Sequence, residues 1–465
     1  MSYQSAIDQL SAMTPELYTK PGHIRRKFSL EEIGTLLRTL GDPHRRFPSV
    51  LIAGTNGKGS TAATLASILQ QSGLRTGLYT SPHLARPNER IRINGDEISD
   101  DAFAALYFRV HDTAQQLVLD QKLGQLPSFF ETLTAMAFLH FAAAEVDFAV
   151  LEVGMGGRLD ATNIVDPRLS IVTDISLDHT EWLGPTIAAI AREKAGILRP
   201  SGTLVTLPQH PEANQALGEV ATELGVRGLS AASFMPQSPV IPGGPYGVEA
   251  LGTIIQVDSP LHGAHQHRNI ALAIAAAVEL AQHHALPITP ASIAAGIRNT
   301  QWPARLERIT TRDPETQALT QWTLDVAHNP AGAWALRAGL SDVLSTGAPV
   351  TLVFSCLRDK PLREMAQILF PLFDRIIFAP IASARATPMA DLLAAAEATG
   401  TPAAAAASVA EALDLARHSA PPEQAAVPPD GSARAASTTI IVSGSVYLVG
   451  EARALLLKAS KEAQP

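Results

Sequence analysis

The most constraining feature of this 465-residue chain is the run Gly54-Thr55-Asn56-Gly57-Lys58-Gly59-Ser60. It follows directly on an apolar stretch, residues 50–53, that reads as a short buried strand. It opens into residues 61–71, whose Leu65, Ile68 and Leu69 recur at helical spacing. Strand, glycine-rich turn and helix in that order make a phosphate loop. Glycines let backbone N–H groups turn toward phosphate oxygens, and the helix start adds partial positive charge. Lys58 can reach terminal phosphates, and a Ser60 or Thr61 hydroxyl can ligate Mg²⁺. The spacing is shorter than the common G-x-x-x-x-G-K-[ST], with Gly59 between lysine and serine. By itself the loop indicates ATP or GTP binding; the competing reading is a glycine turn with an incidental lysine.

Further short apolar runs, at 77–80, 148–153, 170–175 and 203–207, alternate with helical patterns at 100–119, 129–144 and 186–198. That alternation predicts a mostly parallel, doubly wound sheet covered on both faces. The first 47 residues read as mainly helical, anchored by Leu10, Ile33, Leu36, Leu37 and Leu40. A Gly/Pro-rich stretch at 238–247 suggests a hairpin or loop, and 269–285 a helix. The pattern breaks near 300, where a second, smaller βα series begins with strands expected at 322–327, 350–355, 375–379 and 438–442. This predicts two α/β domains, 1–300 and 301–465. Residues 402–437, rich in Ala and Pro, predict one helix at 409–418 followed by an insert.

Composition narrows the classes. The formal net charge of -8 gives no basic footprint for nucleic acid, so an anionic ligand must be met by local positive charge. Cys356 is the only cysteine, which excludes an intrachain disulfide and fits a reducing compartment. The start lacks a signal-peptide pattern, and no apolar run approaches the roughly 20 residues of a membrane span. A cytoplasmic enzyme with small-molecule substrates is expected, monomeric in the absence of any visible oligomerisation element.

Three residues beyond the loop stand out. Glu152 lies near the C-terminal end of a buried strand, the edge at which open α/β sheets bind nucleotides. It reads as an Mg²⁺ ligand or as a buried structural carboxylate. His179 arises just beyond the next strand, at the same edge. A lone histidine is more often structural, and Mg²⁺ prefers oxygen, so its reading as a ligand rests on that shared edge. Lys194, by composition, reads as a solvated surface lysine.

The chain resembles the bacterial folylpolyglutamate synthase/dihydrofolate synthase family, relatives of the Mur ligases. The resemblance runs in order through GTNGKGS (54–60), YTSPHL (79–84), ERIRING (89–95), FFETLTAMAF (129–138), EVGMGGRLDATN (152–163), LDHTEWLG (177–184), EKAGI (193–197), GAHQHRN (263–269), WPARLE (302–307), DVAHNP (325–330) and GSVYLVGE (444–451). It implies a phosphate-loop domain followed by a Rossmann-like α/β domain. Its activity would be ATP-dependent ligation of L-glutamate to dihydropteroate or to folyl-(poly)glutamate, through an acyl phosphate. The cofactors implied are ATP and two Mg²⁺ ions, with a monovalent cation such as K⁺ left open. Ser60 and Glu152 would hold one Mg²⁺, and Glu152, His179 and a carbamylated Lys194 the other. Asn269 and Arg305 would contact nucleotide. Asp325 and His328 would close over it and help place glutamate. Ser81 and His83 would lie near the interdomain cleft and bind substrate, and Phe129, Phe130, Glu131 and Thr132 would shape the pterin side. VFSCLRDKP (353–361) departs from the family pattern: it lacks a glycine near Ser355 and a second acidic residue after Lys360.

Two other classes compete. A Mur-type cell-wall ligase would share the loop, the modified lysine and the second domain, but it carries an extra N-terminal domain, and only about 50 residues precede the loop here. A nucleotide-gated binding module without catalysis would have replaced Lys58, Glu152, His179 or Lys194, and all four are present.

Overall fold

The structure is a computed structural model and describes residues 2–13, 29–237, 240, 244–313, 319–345, 348–418 and 438–462. The chain forms two compact units, Met1–Pro260 with Gln266–Gln301, and Leu261–His265 with Trp302–Pro465.

The first unit is built on strands β1 (Ser49–Ala53), β2 (Thr76–Tyr79), β3 (Ile91–Ile93), β4 (Asp96–Glu97), β5 (Phe148–Glu152), β6 (Leu169–Val172), β7 (Thr203–Thr206) and β8 (Arg227–Ser230). Their order across the sheet is β4-β3-β2-β5-β1-β6-β7-β8. Pairing is parallel except at the β2–β3 and β3–β4 edge. Period-2 alternation divides the central strands between two cores. Leu51, Ala53, Ala149 and Leu151 face one, with Leu10, Ile33, Leu36 and Leu37 of the first two helices and with the helices Asp100–Leu119 and Phe129–Ala143. Val50, Ile52, Phe148 and Val150 face the other, with the helices Lys58–Gln71, Ala264–His283 and Pro290–Arg298. This two-sided burial is why the strands read as continuous apolar runs. From β1 the chain winds to β2 on one side, and after β5 to β6 on the other, so β1 marks the topological switch point. A hairpin, β9 (Tyr246–Ala250) and β10 (Thr253–Val257), packs on the second core.

The second unit carries β11 (Glu307–Arg312), β12 (Leu319–Leu324), β13 (Val350–Phe354), β14 (Arg375–Phe378), β15 (Ala403–Ala405) and β16 (Thr438–Ser443) in the order β11-β12-β16-β13-β14-β15. Among the described residues, only the β11–β12 strand pair of this sheet is antiparallel.

The apolar strands expected from sequence all form. The strands not anticipated are β3, β4, β8, β11 and β15, while the hairpin suggested for 238–247 is found further along, as β9 and β10. Several of these are exposed along one or both faces, as in β8, β4 and β15, so no apolar run announces them. The expected helix at 409–418 forms as Val409–Arg417. The remainder of the expected insert, 419–437, lies outside the described residues. Among the described residues no helix is long and apolar enough to cross a membrane.

Candidate active site

The loop leaves β1 at Gly54, where φ is +151° and an added Cβ would lie 1.7 Å from Thr173 Oγ1. Gly57 starts the Lys58–Gln71 helix at φ +86°, and a Cβ there would lie 2.1 Å from Asn269 Oδ1. Both positions therefore demand glycine. Thr55 N–H and Asn56 N–H donate to the Asp174 carbonyl at 2.8 and 3.3 Å, and Thr173 Oγ1 donates to the Asn56 carbonyl at 2.7 Å. These outward bonds hang the loop from the end of β6. Gly59, Ser60 and Thr61 are buried in the helix's first turn, and among the described residues the Thr61 hydroxyl finds no hydrogen-bond partner.

Two lysine ends meet on one loop carbonyl. Lys58 Nζ donates to Gly54 O at 3.1 Å and to Thr55 O at 3.2 Å; Lys194 Nζ donates to the same Gly54 O at 2.7 Å. Lys194 is 4% exposed, which overturns its compositional reading as a surface lysine. Burial first, and the Lys58 charge second, push its pKa down to about 7, against the opposing pull of Asp178 and Asp160. The cause of the burial is a long-range contact. Lys194 sits in the last turn of the helix Ile187–Ala195, which is locked onto the loop after β5. Arg158 N–H donates to the Glu193 carbonyl at 2.9 Å, and the Asn163 amide donates to the Gly196 carbonyl at 2.9 Å.

Glu152 ends β5, in register with Ile52 of β1, and is 3% exposed. Its Oε2 accepts from Ser81 N–H at 3.1 Å. His179 has left-handed backbone, φ +51°, at the start of the turn Thr180–Leu183, and its Nε2 lies 3.9 Å from Asp178 Oδ2. Among the described residues no three His, Cys, Asp or Glu side chains converge as a cation cage.

His83 accepts from Arg90 Nε at 2.9 Å, and burial followed by the Arg90 charge drives its pKa down to about 3, so it is a neutral acceptor. The Arg90 guanidinium lies 5.1 Å from the Phe129 ring centroid. Phe130 tilts against Tyr79 at 5.7 Å. Glu131 closes a capping box: its carboxylate accepts from Ser128 N–H at 2.8 Å while its own N–H donates to Ser128 Oγ at 3.2 Å. Thr132 is fully buried, with its hydroxyl 3.9 Å from Met13 Sδ. A cavity of about 140 Å³ opens beside them, lined among others by Phe130, Glu131, Gly156, Asp160 and Trp182. Asp160 accepts from Met155 N–H (2.9 Å), Thr162 N–H (3.0 Å) and Thr162 Oγ1 (2.5 Å), and burial raises its pKa. Asp160, Asp178, Arg90 and Trp182 were not singled out from sequence. All four lie inside the quoted motifs, which was the one signal available for them.

In the second unit, Asp325 follows β12 and its N–H donates to the Val442 carbonyl of β16 at 3.1 Å. Its carboxylate accepts from Leu306 N–H and Ala327 N–H, both at 2.9 Å. Burial raises its pKa, with His265 and Arg305 pulling the other way. Arg305 donates to the Ala304 carbonyl at 3.0 Å and lies 5.9 Å from the Trp302 ring. His328 Nδ1 is 2.8 Å from the Val326 carbonyl oxygen. Asn269, in the first unit, donates to Gln266 Oε1 at 2.8 Å.

Comparison with known proteins fixes the class. The Mur ligase middle domain matches residues 52–277, and the Mur ligase glutamate ligase domain matches 304–427. The dihydrofolate synthase/folylpolyglutamate synthase of Mycobacterium tuberculosis is 37% identical over 451 residues, 92% of this chain and 90% of its own. The folylpolyglutamate synthase of Lacticaseibacillus casei is 36% identical over 364 residues, 77% of this chain and 82% of its own. Among solved structures, M. tuberculosis folylpolyglutamate synthase complexed with ADP superposes with TM-score 0.84 at 34% identity, covering 98% of each chain. E. coli FolC in complex with DHPP and ADP gives 0.78 at 28% identity, again covering 98% of each. Fold and matched domains together define a Mur-type ligase. Within that class, the chain belongs to the dihydrofolate synthase/folylpolyglutamate synthase family.

Proposed function

We propose that this chain uses ATP to join L-glutamate to dihydropteroate and to folyl-(poly)glutamate, through an acyl phosphate. The observation that carries the mechanism is the pair of lysine ends on the Gly54 carbonyl, at the switch point of the large sheet. A triphosphate entering the loop gives Lys58 a better partner than a backbone carbonyl. A buried lysine with a pKa near 7 holds much of its amine neutral at physiological pH. That amine can attack CO₂, forming an N–C bond and releasing a proton to solvent, which turns Lys194 into an anionic oxygen donor.

The donor chemistry fits magnesium on that condition. Ser60, Glu152 and a carbamate on Lys194 are hard oxygen donors, which Mg²⁺ prefers, with His179 as an unusual fourth. When bound, magnesium neutralises phosphate charge as it shifts during transfer. The protein's own residues do the rest. A carboxylate resists amide formation because its oxygen is a poor leaving group. Lys58 steadies the charge on the γ-phosphoryl group as the acceptor carboxylate oxygen bonds to phosphorus and ADP departs. The free α-amine of glutamate then attacks the acyl carbon, and the tetrahedral adduct expels phosphate, loses the extra amine proton to phosphate or solvent, and leaves the amide. We assign glutamate binding to Asp325 and His328, and nucleotide contacts to Asn269 and Arg305.

The acceptor's ring fits the cavity beside Phe130. It has room for one flat ring system and carries Phe130 and Trp182 in its wall, a combination suited to a pterin ring. A solved relative, E. coli FolC, was obtained in complex with DHPP and ADP, which supports a folate-type acceptor for this family. Purified protein given Mg-ATP and radiolabelled glutamate should label both dihydropteroate and tetrahydrofolate, releasing one phosphate per amide. Label in muramyl substrates alone, or in neither folate acceptor, would refute the proposal.

A further inference from the structure

We infer that Arg268 is a positioning residue of the phosphate loop, and that its task is to mask the Asp174 carboxylate beside the triphosphate site. The inference rests on residues 54–60 binding the nucleotide phosphates. Asp174 is held there by its backbone: its carbonyl accepts both Thr55 N–H and Asn56 N–H, and Asn56 and Asp174 form an isolated β-bridge. The loop's shape therefore depends on the main chain of a residue whose side chain carries the wrong charge for an anionic ligand. Arg268 answers that charge. Its Nε lies 3.0 and 2.8 Å from Oδ1 and Oδ2 of Asp174, and its Nη2 donates to Oδ1 at 2.6 Å. The same Nη2 reaches the Pro208 carbonyl at 2.9 Å, which ties the guanidinium to the end of the neighbouring β7.

This fork is a geometry that a lysine cannot reproduce. The side chains are 28% and 41% exposed, so the charge they carry is open to water and its effect is partly screened. Arg268 also precedes Asn269, whose Oδ1 occupies the space that a side chain at Gly57 would need. Consecutive residues of one helix thus act on the loop from two sides, one through shape and the other through charge. Removing Arg268 would expose a carboxylate next to the triphosphate; removing both charges would not.

The test uses the full chain with three variants, Arg268→Ala, Arg268→Lys and the double Arg268→Ala/Asp174→Asn. It measures ADP affinity by calorimetry, KM and kcat for ATP at low and high salt, and the melting temperature. For Arg268→Ala we expect ADP affinity about tenfold weaker and KM for ATP about tenfold higher, with kcat at saturating ATP within about twofold and a smaller defect at high salt. The double variant should recover to within about threefold of the parent, with Arg268→Lys between the two. Unchanged ADP affinity in Arg268→Ala overturns the inference. So does a defect that persists in the double variant, because Arg268 would then act on the nucleotide directly or on the fold. If Arg268→Ala melts early, Arg268→Lys and the double variant carry the same comparison. Lys58→Ala separates the two levels: intact ADP binding there would sink the loop reading itself, whereas lost binding there beside unaltered Arg268 variants would sink only the masking role.

Discussion

At the end of β1 the chain turns through residues 54–57 into the helix Lys58–Gln71, and at the end of β12 it turns through residues 325–329 into the helix Pro330–Gly339. Both are strand–turn–helix units at the C-terminal edge of a largely parallel sheet. The first turn gathers cations: two lysine ends share one carbonyl, and burial strips one of them toward neutrality. The second turn gathers an acid: Asp325 is fixed by two backbone N–H donors and its pKa is raised by burial. On the proposed function, the same backbone device would serve phosphate in one turn and the glutamate amine in the other, according to the charged group the turn buries. In both turns a side chain is tied to the backbone, Lys58 to two carbonyls and Asp325 to two N–H groups, the kind of ordering on which electrostatic catalysis draws.

The largest effects should come from breaking the cationic edge. Lys58→Ala and Glu152→Ala should each lower ATP-dependent amide formation by at least about a thousandfold in a chain that still melts cooperatively. Near-normal turnover in either variant would remove the mechanism. Lys194→Ala should lose about a hundredfold or more and regain part of it with short carboxylates such as acetate or propionate, which replace the missing oxygens. Full activity without rescue would remove the carbamate. The acidic edge should be milder. Asp325→Asn keeps the shape but turns an amide toward two N–H donors, so KM for glutamate should rise about tenfold, with ATP affinity little changed. A selective loss of ATP affinity would reverse the assignment of the two edges.

The smallest and sharpest effect concerns pH. The folded-state pKa of Lys194 lies below its ordinary value of 10.5, at about 7. Its neutral amine therefore exists in the native chain from about pH 7 upward, and in the unfolded chain only near 10.5. Between those values the unfolded chain binds the extra proton, so this group's contribution to stability grows as pH rises through that window. With ¹³C-bicarbonate, a protein carbamate signal should grow in through pH 7 and vanish in Lys194→Ala. A signal that appears only above pH 9 would show the lysine to be unperturbed.

The two edges also differed in how far the sequence disclosed them. Residues 54–60 spell their own geometry, because glycines at 54 and 57 are demanded by backbone conformation and close approach. Buried strands declared themselves through apolar runs, and the Asp100–Leu119 helix through its spacing. Lys194 did not. Its burial depends on Arg158 and Asn163, more than 30 residues away in the chain, and nothing local in REKAG separates a buried lysine from a solvated one. His83 and Arg90 were equally silent, since a neutral histidine held by an arginine follows from contacts that no periodicity encodes. Glu131 illustrates the converse. Ser128 and Glu131 stand three apart and spell a capping box, a local signal that accounts for the carboxylate without a ligand. For Lys194 and His83, only the family resemblance pointed to a role ahead of the structure.

The account turns on phosphate being transferred to the acceptor's carboxylate before the amide forms. Tetrahydrofolyl monoglutamate labelled with ¹⁸O in its γ-carboxylate, incubated with Mg-ATP and glutamate, tests this directly. One labelled oxygen should leave with the inorganic phosphate for every amide made. Phosphate free of ¹⁸O, with amide still formed, would contradict the acyl phosphate and the roles given to Lys58, Glu152 and Lys194.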